Sequence, residues 1–188
     1  MIDTTINSIH LKFNTDPLLF SPNDIDKGTL AMLSVVNFTS TDKVLDLGCG
    51  YGVVGILAEK TIGAQNVVMS DIQESAVKIS KANAIINGVS GINIVISNGF
   101  QNIKEKEFTV ILSNPPYHAD FSVPKHFIEK GFNRLKIGGK MYMVTKRKEW
   151  YKNKLIAIFG GVKIYEIDEY YIFESEKRSV NYAKLKHT

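Results

Sequence analysis

Apolar and polar positions change period repeatedly along this chain. From residue 43 onward, short runs rich in Val, Ile, Leu and Met alternate with stretches in which apolar residues recur every three or four positions. The runs Lys43 to Leu47, Asn66 to Ser70, Ile92 to Ile96, Phe108 to Ser113 and Lys140 to Thr145 predict β-strands. Between them, Val53 to Thr61, Glu74 to Asn87 and Pro124 to Leu135 predict helices. Gly88 ends the second of these, Pro124 takes a first-turn position in the third, and Gly138-Gly139 follow it. This alternation predicts an α/β, doubly wound, mostly parallel sheet that binds ligands at the carboxyl ends of its strands, where the winding reverses. Beyond residue 145 the pattern becomes one helix, about 148 to 159, and two strands, Val162 to Ile167 and Tyr170 to Glu174. They lie too close together for a crossover and predict an antiparallel C-terminal hairpin, giving seven strands in all. Ahead of residue 43, Ile9 to Phe13 alternates like a strand and Ile25 to Val36 like a helix, with Asn23 or Asp24 available as N-cap. These upstream elements are expected to pack on the edge and face of the sheet.

No linker, repeat or low-complexity segment interrupts the pattern, so one domain is expected over residues 1–188. Residues 1–40 form an extension packing on it, and residues 176–188 a basic tail. With 188 residues, 44% of them hydrophobic, such a chain buries about 70% of its unfolded surface and needs no staples. The single Cys49 has no partner for an internal bridge, and His10, His118, His126 and His187 lack metal-ligand spacing, so no metal is expected. The N-terminus does not resemble a targeting segment, and the apolar runs fall well short of the 18 to 20 or so residues that cross a bilayer, which together predict a cytoplasmic protein.

Charge changes the picture only in the last third. The chain carries 23 Lys+Arg against 19 Asp+Glu, a net +4, but residues 136–188 alone hold 12 against 6. Lys146-Arg147-Lys148, Lys152 and Lys154, Lys177-Arg178, Lys184 and Lys186 either form a phosphate-attracting surface or a merely solvated face. The aromatic residues among them offer faces for unpaired bases, although Phe159, Tyr171 and Phe173 read better as core.

Chemistry concentrates at the predicted strand ends. The first strand leads into Asp46-Leu47-Gly48-Cys49-Gly50-Tyr51-Gly52, whose glycines let the backbone turn sharply and approach a ligand beside the free N–H groups of the next helix. A tight turn that only packs helix on strand is the structural alternative. Asp71 closes the second strand, 19 positions after Gly52, where a carboxylate can accept from both hydroxyls of a ribose. Asp46 would repel a pyrophosphate and suits instead a cationic amino group and sulfonium, which favours S-adenosylmethionine over NAD. Asn114-Pro115-Pro116-Tyr117 leaves the fourth strand across the switch point. Its prolines hold an extended path, its Asn oxygen and Pro115 carbonyl can accept the hydrogens of an exocyclic amine, and Tyr117 offers a stacking face. Cys49 reads as a small filler in the turn.

With these residues in place the chain resembles the class I S-adenosylmethionine-dependent methyltransferases, through V-L-D-L-G-C-G-Y-G, S-D-I and S-N-P-P-Y. It is most similar to the small-domain group that includes bacterial small-subunit ribosomal RNA guanine-N2 methyltransferases, where His commonly follows the tetrapeptide, as His118 does here. The segment from Leu19 through Phe20 and Ser21 to Thr29 resembles that group's F-S-x-x-x-x-D-x-G-[ST] signature, and the likeness runs from about residue 9 to 175. It implies a Rossmann-like sheet, the methionine moiety near Asp46, Gly48 and Gly50, the ribose at Asp71, and adenine near Ile72 and Asn98. Many class I enzymes have Asp where Asn98 stands, and an Asn oxygen accepts the same bond without charge. Asn114, Pro115, Pro116 and Tyr117 would hold the target amine, while Asp26, Gly28 and Thr29 would cover the donor or simply cap a helix. His118, Lys146, Arg147 and Lys148 would contact substrate.

The implied activity is methyl transfer to guanine N2 of small-subunit ribosomal RNA, with free RNA or the ribosomal subunit as partner and the oligomeric state, monomer or homodimer, open. Adenine N6 and a protein glutamine amide present similar planar nitrogens. A non-catalytic RNA-binding module on the same fold is the reading from another class.

Overall fold

The computed structural model describes residues 1–17, 21–63, 66–116 and 120–183. The chain opens with β1 (Ile2–Ile6) turning back on β2 (Ile9–Phe13). The turn residues Asn7 and Ser8 both have positive φ, 49° and 64°, the backbone that matches a two-residue turn to the twist of its strands. Helix α1 (Lys27–Val35) follows. Its N-cap is Asp26, whose carboxylate accepts from the Thr29 N–H, and not Asn23 or Asp24 as expected. Asp24, two residues earlier, accepts from the Ile25 N–H instead.

The main sheet then begins. Strands β3 (Val44–Leu47), β4 (Val67–Asp71) and β5 (Asn93–Ile96) alternate with α2 (Val53–Ile62) and α3 (Glu74–Ile86). After a helix-free loop come β6 (Phe108–Ser113), α4 (Ser122–Arg134), β7 (Leu135–Thr145), α5 (Lys148–Phe159), β8 (Lys163–Ile167) and β9 (Tyr170–Glu176). Spatial order is β5-β4-β3-β6-β7-β9-β8. The first five strands in this order run parallel, and β9 joins β7 and β8 antiparallel. The seven-stranded, mostly parallel sheet and its antiparallel hairpin are as expected. Side-chain alternation divides the core: Val110, Leu112, Tyr142 and Val144 face α1, α2 and α3, whereas Ile111, Met141 and Met143 face α4 and α5. Helices on both faces bury both surfaces of the central strands, which is why these read as continuous apolar runs.

Three expectations are corrected here. The β1–β2 hairpin is a sheet of its own, and β2 packs against α2 and α3 and not on the edge of the main sheet. Asn83 and Asn87 accept the N–H groups of Asn14 and Lys12 and donate back to the carbonyls of the same residues. Side-chain amides on the α3 side thus stand in for a neighbouring strand. Second, α4 begins at Ser122, ends at Arg134 and gives way at once to a strand longer than Lys140 to Thr145. Gly138 and Gly139 lie within it: the register between β6 and β7 shifts at Phe108/Val110, and a Cβ on Gly139 would sit 2.8 Å from the Phe108 carbonyl oxygen, so the glycines mark a bulge and not a stop. Third, β9 ends at Glu176, where the basic tail is expected to begin, but the next residue, Lys177, is buried at 8% exposure. Its Nζ donates to the Leu135 carbonyl at 2.7 Å and lies over the Phe132 ring, and burial lowers its pKa. Lys177 is therefore not part of a phosphate-attracting surface.

Among the described residues no helix is long and apolar enough to cross a membrane.

Candidate active site

The switch point lies between β3 and β6, whose carboxyl ends are tied together by the Ser113 hydroxyl donating to the Leu47 carbonyl at 2.7 Å. Beyond Leu47 the chain turns through Gly48 and Gly50, at φ 78° and 55°. The N–H groups of Gly48 and Cys49 both donate to the Ser70 carbonyl, at 2.8 and 2.9 Å, folding the turn across the end of β4. A Cβ on Gly48 or Gly50 would meet nothing within 4 Å. The left-handed backbone, and not crowding, demands glycine there, and the open face above belongs to a cavity of roughly 310 Å³. Gly55 is the opposite case. Its Cβ would fall 2.4 Å from Met69 Cγ, so its absence lets α2 seat on β4.

Two carboxylates flank this turn. Asp71, at the end of β4, accepts from the Gly50 N–H through Oδ2 and from the Gln73 N–H through Oδ1, both at 2.9 Å. Each oxygen keeps lone pairs for a diol. Asp46 is 3% exposed and accepts from the Gly55 N–H at 2.9 Å, taking up one of the orphan donors of the first turn of α2. Burial pushes its pKa up to about 7 from an ordinary 3.8; the Gly55 N–H opposes the rise and the nearby Asp71 adds to it. A cationic group entering beside Asp46 would restore its charge. Burial also pushes the Cys49 thiol well up, as suits an inert filler.

The facing wall comes from the β6 exit. Asn114 Nδ2 donates to Asp26 Oδ1 at 2.7 Å and to Thr29 Oγ1 at 3.0 Å. Its Oδ1 is buried and has no hydrogen-bond partner among the described residues. Asn114, Pro115 and Pro116 line the cavity together with Asp26 and Thr29, opposite Gly48, Gly50 and Asp71. An orphaned buried acceptor costs about 1–3 kcal/mol unless something donates to it. The residues present therefore fit a ligand bearing an N–H group on this side and a ribose-containing cation on the other.

Most of the expected site residues converge. Asp46, Gly48, Gly50, Asp71, Ile72 and Asn98 share the lining with Asp26, Thr29, Asn114, Pro115 and Pro116. Ile72 is 62% exposed, as befits one flat face at an open mouth. Gly28 is not among the lining residues. It backs onto Tyr170, whose ring carbon would stand 2.7 Å from a Cβ at that position. Tyr117 and His118 lie outside the described residues, as do Leu19, Phe20, Lys184 and Lys186. Lys146, Arg147 and Lys148 follow β7 on the same end of the sheet but do not line the cavity. Lys146 pairs with Glu169 at 2.9 Å and Lys148 lies 3.9 Å from Glu166, each over a tyrosine ring. Arg147 covers Phe121, which stacks on Trp150 at 4.4 Å. Lys154 pairs with Glu129.

The sequence reading assigned no role to Ser113, Val123 or Phe127. Ser113 aligns the strand ends, and the other two line the cavity from α4. The signal for them was available: a crossover helix after β6 must start at the carboxyl end of the sheet.

The sequence model of the methyltransferase small domain family matches residues 10–174. The chain is similar to ribosomal RNA small subunit methyltransferase C of Psychromonas ingrahamii, with 34% identity over 163 residues, covering 85% of this chain and 46% of that protein. It is also similar to the uncharacterized protein YbxB of Bacillus subtilis, with 30% identity over 171 residues, covering 88% of this chain and 85% of that one. Its fold is like that of a T. thermophilus 16S rRNA N2 methyltransferase solved in complex with AdoMet and guanosine, at a TM-score of 0.83 and 24% identity over 94% of this chain and 50% of that chain. The chain thus spans about half the length of these two ribosomal RNA methyltransferases.

Proposed function

The chain belongs to the methyltransferase small domain family, and from that premise we propose that it transfers a methyl group from S-adenosylmethionine to guanine N2 of small-subunit ribosomal RNA. When bound, the donor supplies an electrophilic methyl group on a sulfonium. Asp71, held by the Gly50 N–H, would bind its ribose hydroxyls, Asp46, held by the Gly55 N–H, would hold its amino group, and the open faces of Gly48 and Gly50 would admit its close approach. Ile72 and Asn98 border the base.

On the other wall, Asn114 Oδ1 and the Pro115 carbonyl accept the two hydrogens of an exocyclic amine. With both hydrogens held, the nitrogen lone pair turns out of conjugation with the ring and toward the methyl group, so that orientation supplies most of the acceleration. The nitrogen gains positive charge as it bonds to carbon, and the amide oxygen stabilises that charge before a proton leaves. No strong general base is needed for such a step.

The observation that carries this reading is Asn114, which lines the cavity and whose buried Oδ1 has no partner among the described residues. Ribosomal RNA as substrate and guanine as base are supported by what the similar proteins are named for and solved with. Incubation of the protein with labelled donor and either free small-subunit RNA or intact small subunits, followed by nucleoside digestion, tests it. The expected product is N2-methylguanosine. Label on adenine or on protein would replace the acceptor, and label nowhere, with no donor binding by calorimetry, would leave an RNA-binding module.

A further inference from the structure

Asp26 and Thr29 are expected from the motif resemblance to cover the methyl donor, yet their hydrogen bonds point to the acceptor wall. Asp26 Oδ1 accepts from Asn114 Nδ2 at 2.7 Å and from the Thr29 N–H at 2.8 Å, and it lies 3.3 Å from Thr29 Oγ1. Thr29 Oγ1 accepts the second Nδ2 hydrogen at 3.0 Å. Both amide hydrogens are therefore committed to acceptors 85 and 88 residues upstream in the chain. An amide turned by half a revolution would set its oxygen against a carboxylate oxygen, which repels it. Only one of the two orientations is favoured, the one that keeps Oδ1 as the uncommitted group.

We propose that Asp26, with Thr29, is the positioning residue for the acceptor half of the reaction: it locks the Asn114 amide with its oxygen available to the amine and polarises that oxygen. The inference rests on the acceptor reading above. A carboxylate hydrogen-bonded to an amide N–H draws electron density toward the amide oxygen, and linked hydrogen bonds of this kind strengthen one another. The effect is largest when the nitrogen is most positive. At that point the N–C bond forms, the methyl–sulfur bond breaks with its electron pair left on sulfur, and the surplus proton has yet to leave the nitrogen for solvent. Asp26 thus acts through Asn114 and touches neither reacting atom.

Asp26 also caps α1, so the test must separate capping from positioning. Asp26→Ser keeps a good N-cap but is too short to hold Asn114, and Asp26→Asn keeps an acceptor for both partners without the charge. Three quantities are compared with the wild type: melting temperature, donor affinity by calorimetry, and single-turnover methyl transfer to RNA at saturating donor. Both variants are expected to melt within about 3 °C of wild type and to bind donor within about twofold. Transfer should slow by about 30- to 100-fold in Asp26→Ser and by less than about tenfold in Asp26→Asn.

A serine variant that transfers at the wild-type rate would overturn the proposal. So would weakened donor binding with an unchanged saturated rate, which would return Asp26 to the donor. If the wild type methylates no RNA, the acceptor reading fails instead, and the lock is then judged by hydrogen exchange of the Asn114 side-chain amide. Exchange about tenfold faster or more in Asp26→Ser sustains the lock, and equal exchange overturns it.

Discussion

The two walls of the cavity are built differently. The wall from β3, β4 and α2 is closed on itself: Asp46 holds Gly55, Asp71 holds Gly50 and Gln73, and the Ser70 carbonyl holds the turn, all within 28 consecutive positions from 46 to 73. The wall at the β6 exit is joined to α1 across more than 80 residues and leaves one buried amide oxygen without a partner among the described residues. A closed wall offers a preformed cradle and contributes affinity, whereas a wall with an unsatisfied acceptor selects what can donate to it and contributes rate. Donor binding and methyl transfer should therefore be separable by mutation.

The largest effect expected is at Asn114. Asn114→Ala should lower single-turnover transfer at saturating donor about 1,000-fold, about 4 kcal/mol of barrier, while calorimetric donor affinity stays within about twofold; loss of donor binding would merge the two walls. Asp71→Ala should do the reverse. Donor dissociation constants should rise by about 10- to 100-fold, for about 1–3 kcal/mol of charged hydrogen bonds, with a nearly unchanged rate once donor saturates.

Next in size is a pH effect confined to the donor wall. Burial holds the Asp46 pKa at about 7, above its ordinary 3.8. The folded protein therefore keeps a proton that the unfolded chain has released, so Asp46 lowers stability progressively from about pH 4 to about pH 7 and has no further effect above that. Asp46→Asn should flatten this slope in denaturant titrations. A cationic ligand group needs the ionised form, so donor binding should tighten about 3- to 10-fold from pH 6 to pH 8 and release a proton below pH 7. Calorimetry in buffers of different ionisation enthalpy reads that proton directly.

The smallest effect concerns RNA. Arg147→Ala should weaken RNA binding by a few fold and reduce the salt slope by about one. Lys146→Ala should do less, because Glu169 already neutralises that ammonium. Filter binding across a salt series distinguishes them.

The same contrast explains what could be read from the sequence. Strands β3, β4, β5 and β6 and helices α2, α3 and α5 lie within a residue or so of the expected positions, because apolar runs and glycine stops are local signals. The donor wall is likewise local, with Asp46, Gly48, Gly50 and Asp71 spaced by one strand-turn-helix unit and one strand. What escaped is long-range or conformational. Ile2–Ile6 is rich in β-branched residues, but its pairing escaped because it depends on two positive φ angles at Asn7 and Ser8, where a glycine would be the usual signal. Gly138-Gly139 reads as a stop because a bulge and a turn use the same residue. The lock on Asn114 could not be inferred from spacing, because Asp26 and Thr29 lie 88 and 85 residues away from it along the chain. Lys177 looked like surface charge until the Leu135 carbonyl and the Phe132 ring closed around it.

The most direct test of the account is a structure of the protein with S-adenosylhomocysteine and guanosine. The exocyclic amine is predicted within about 2.7–3.2 Å of Asn114 Oδ1, with both Nδ2 hydrogens still on Asp26 and Thr29. An amine bound out of reach of that oxygen, or an amide turned to present Nδ2 to it, would contradict the account.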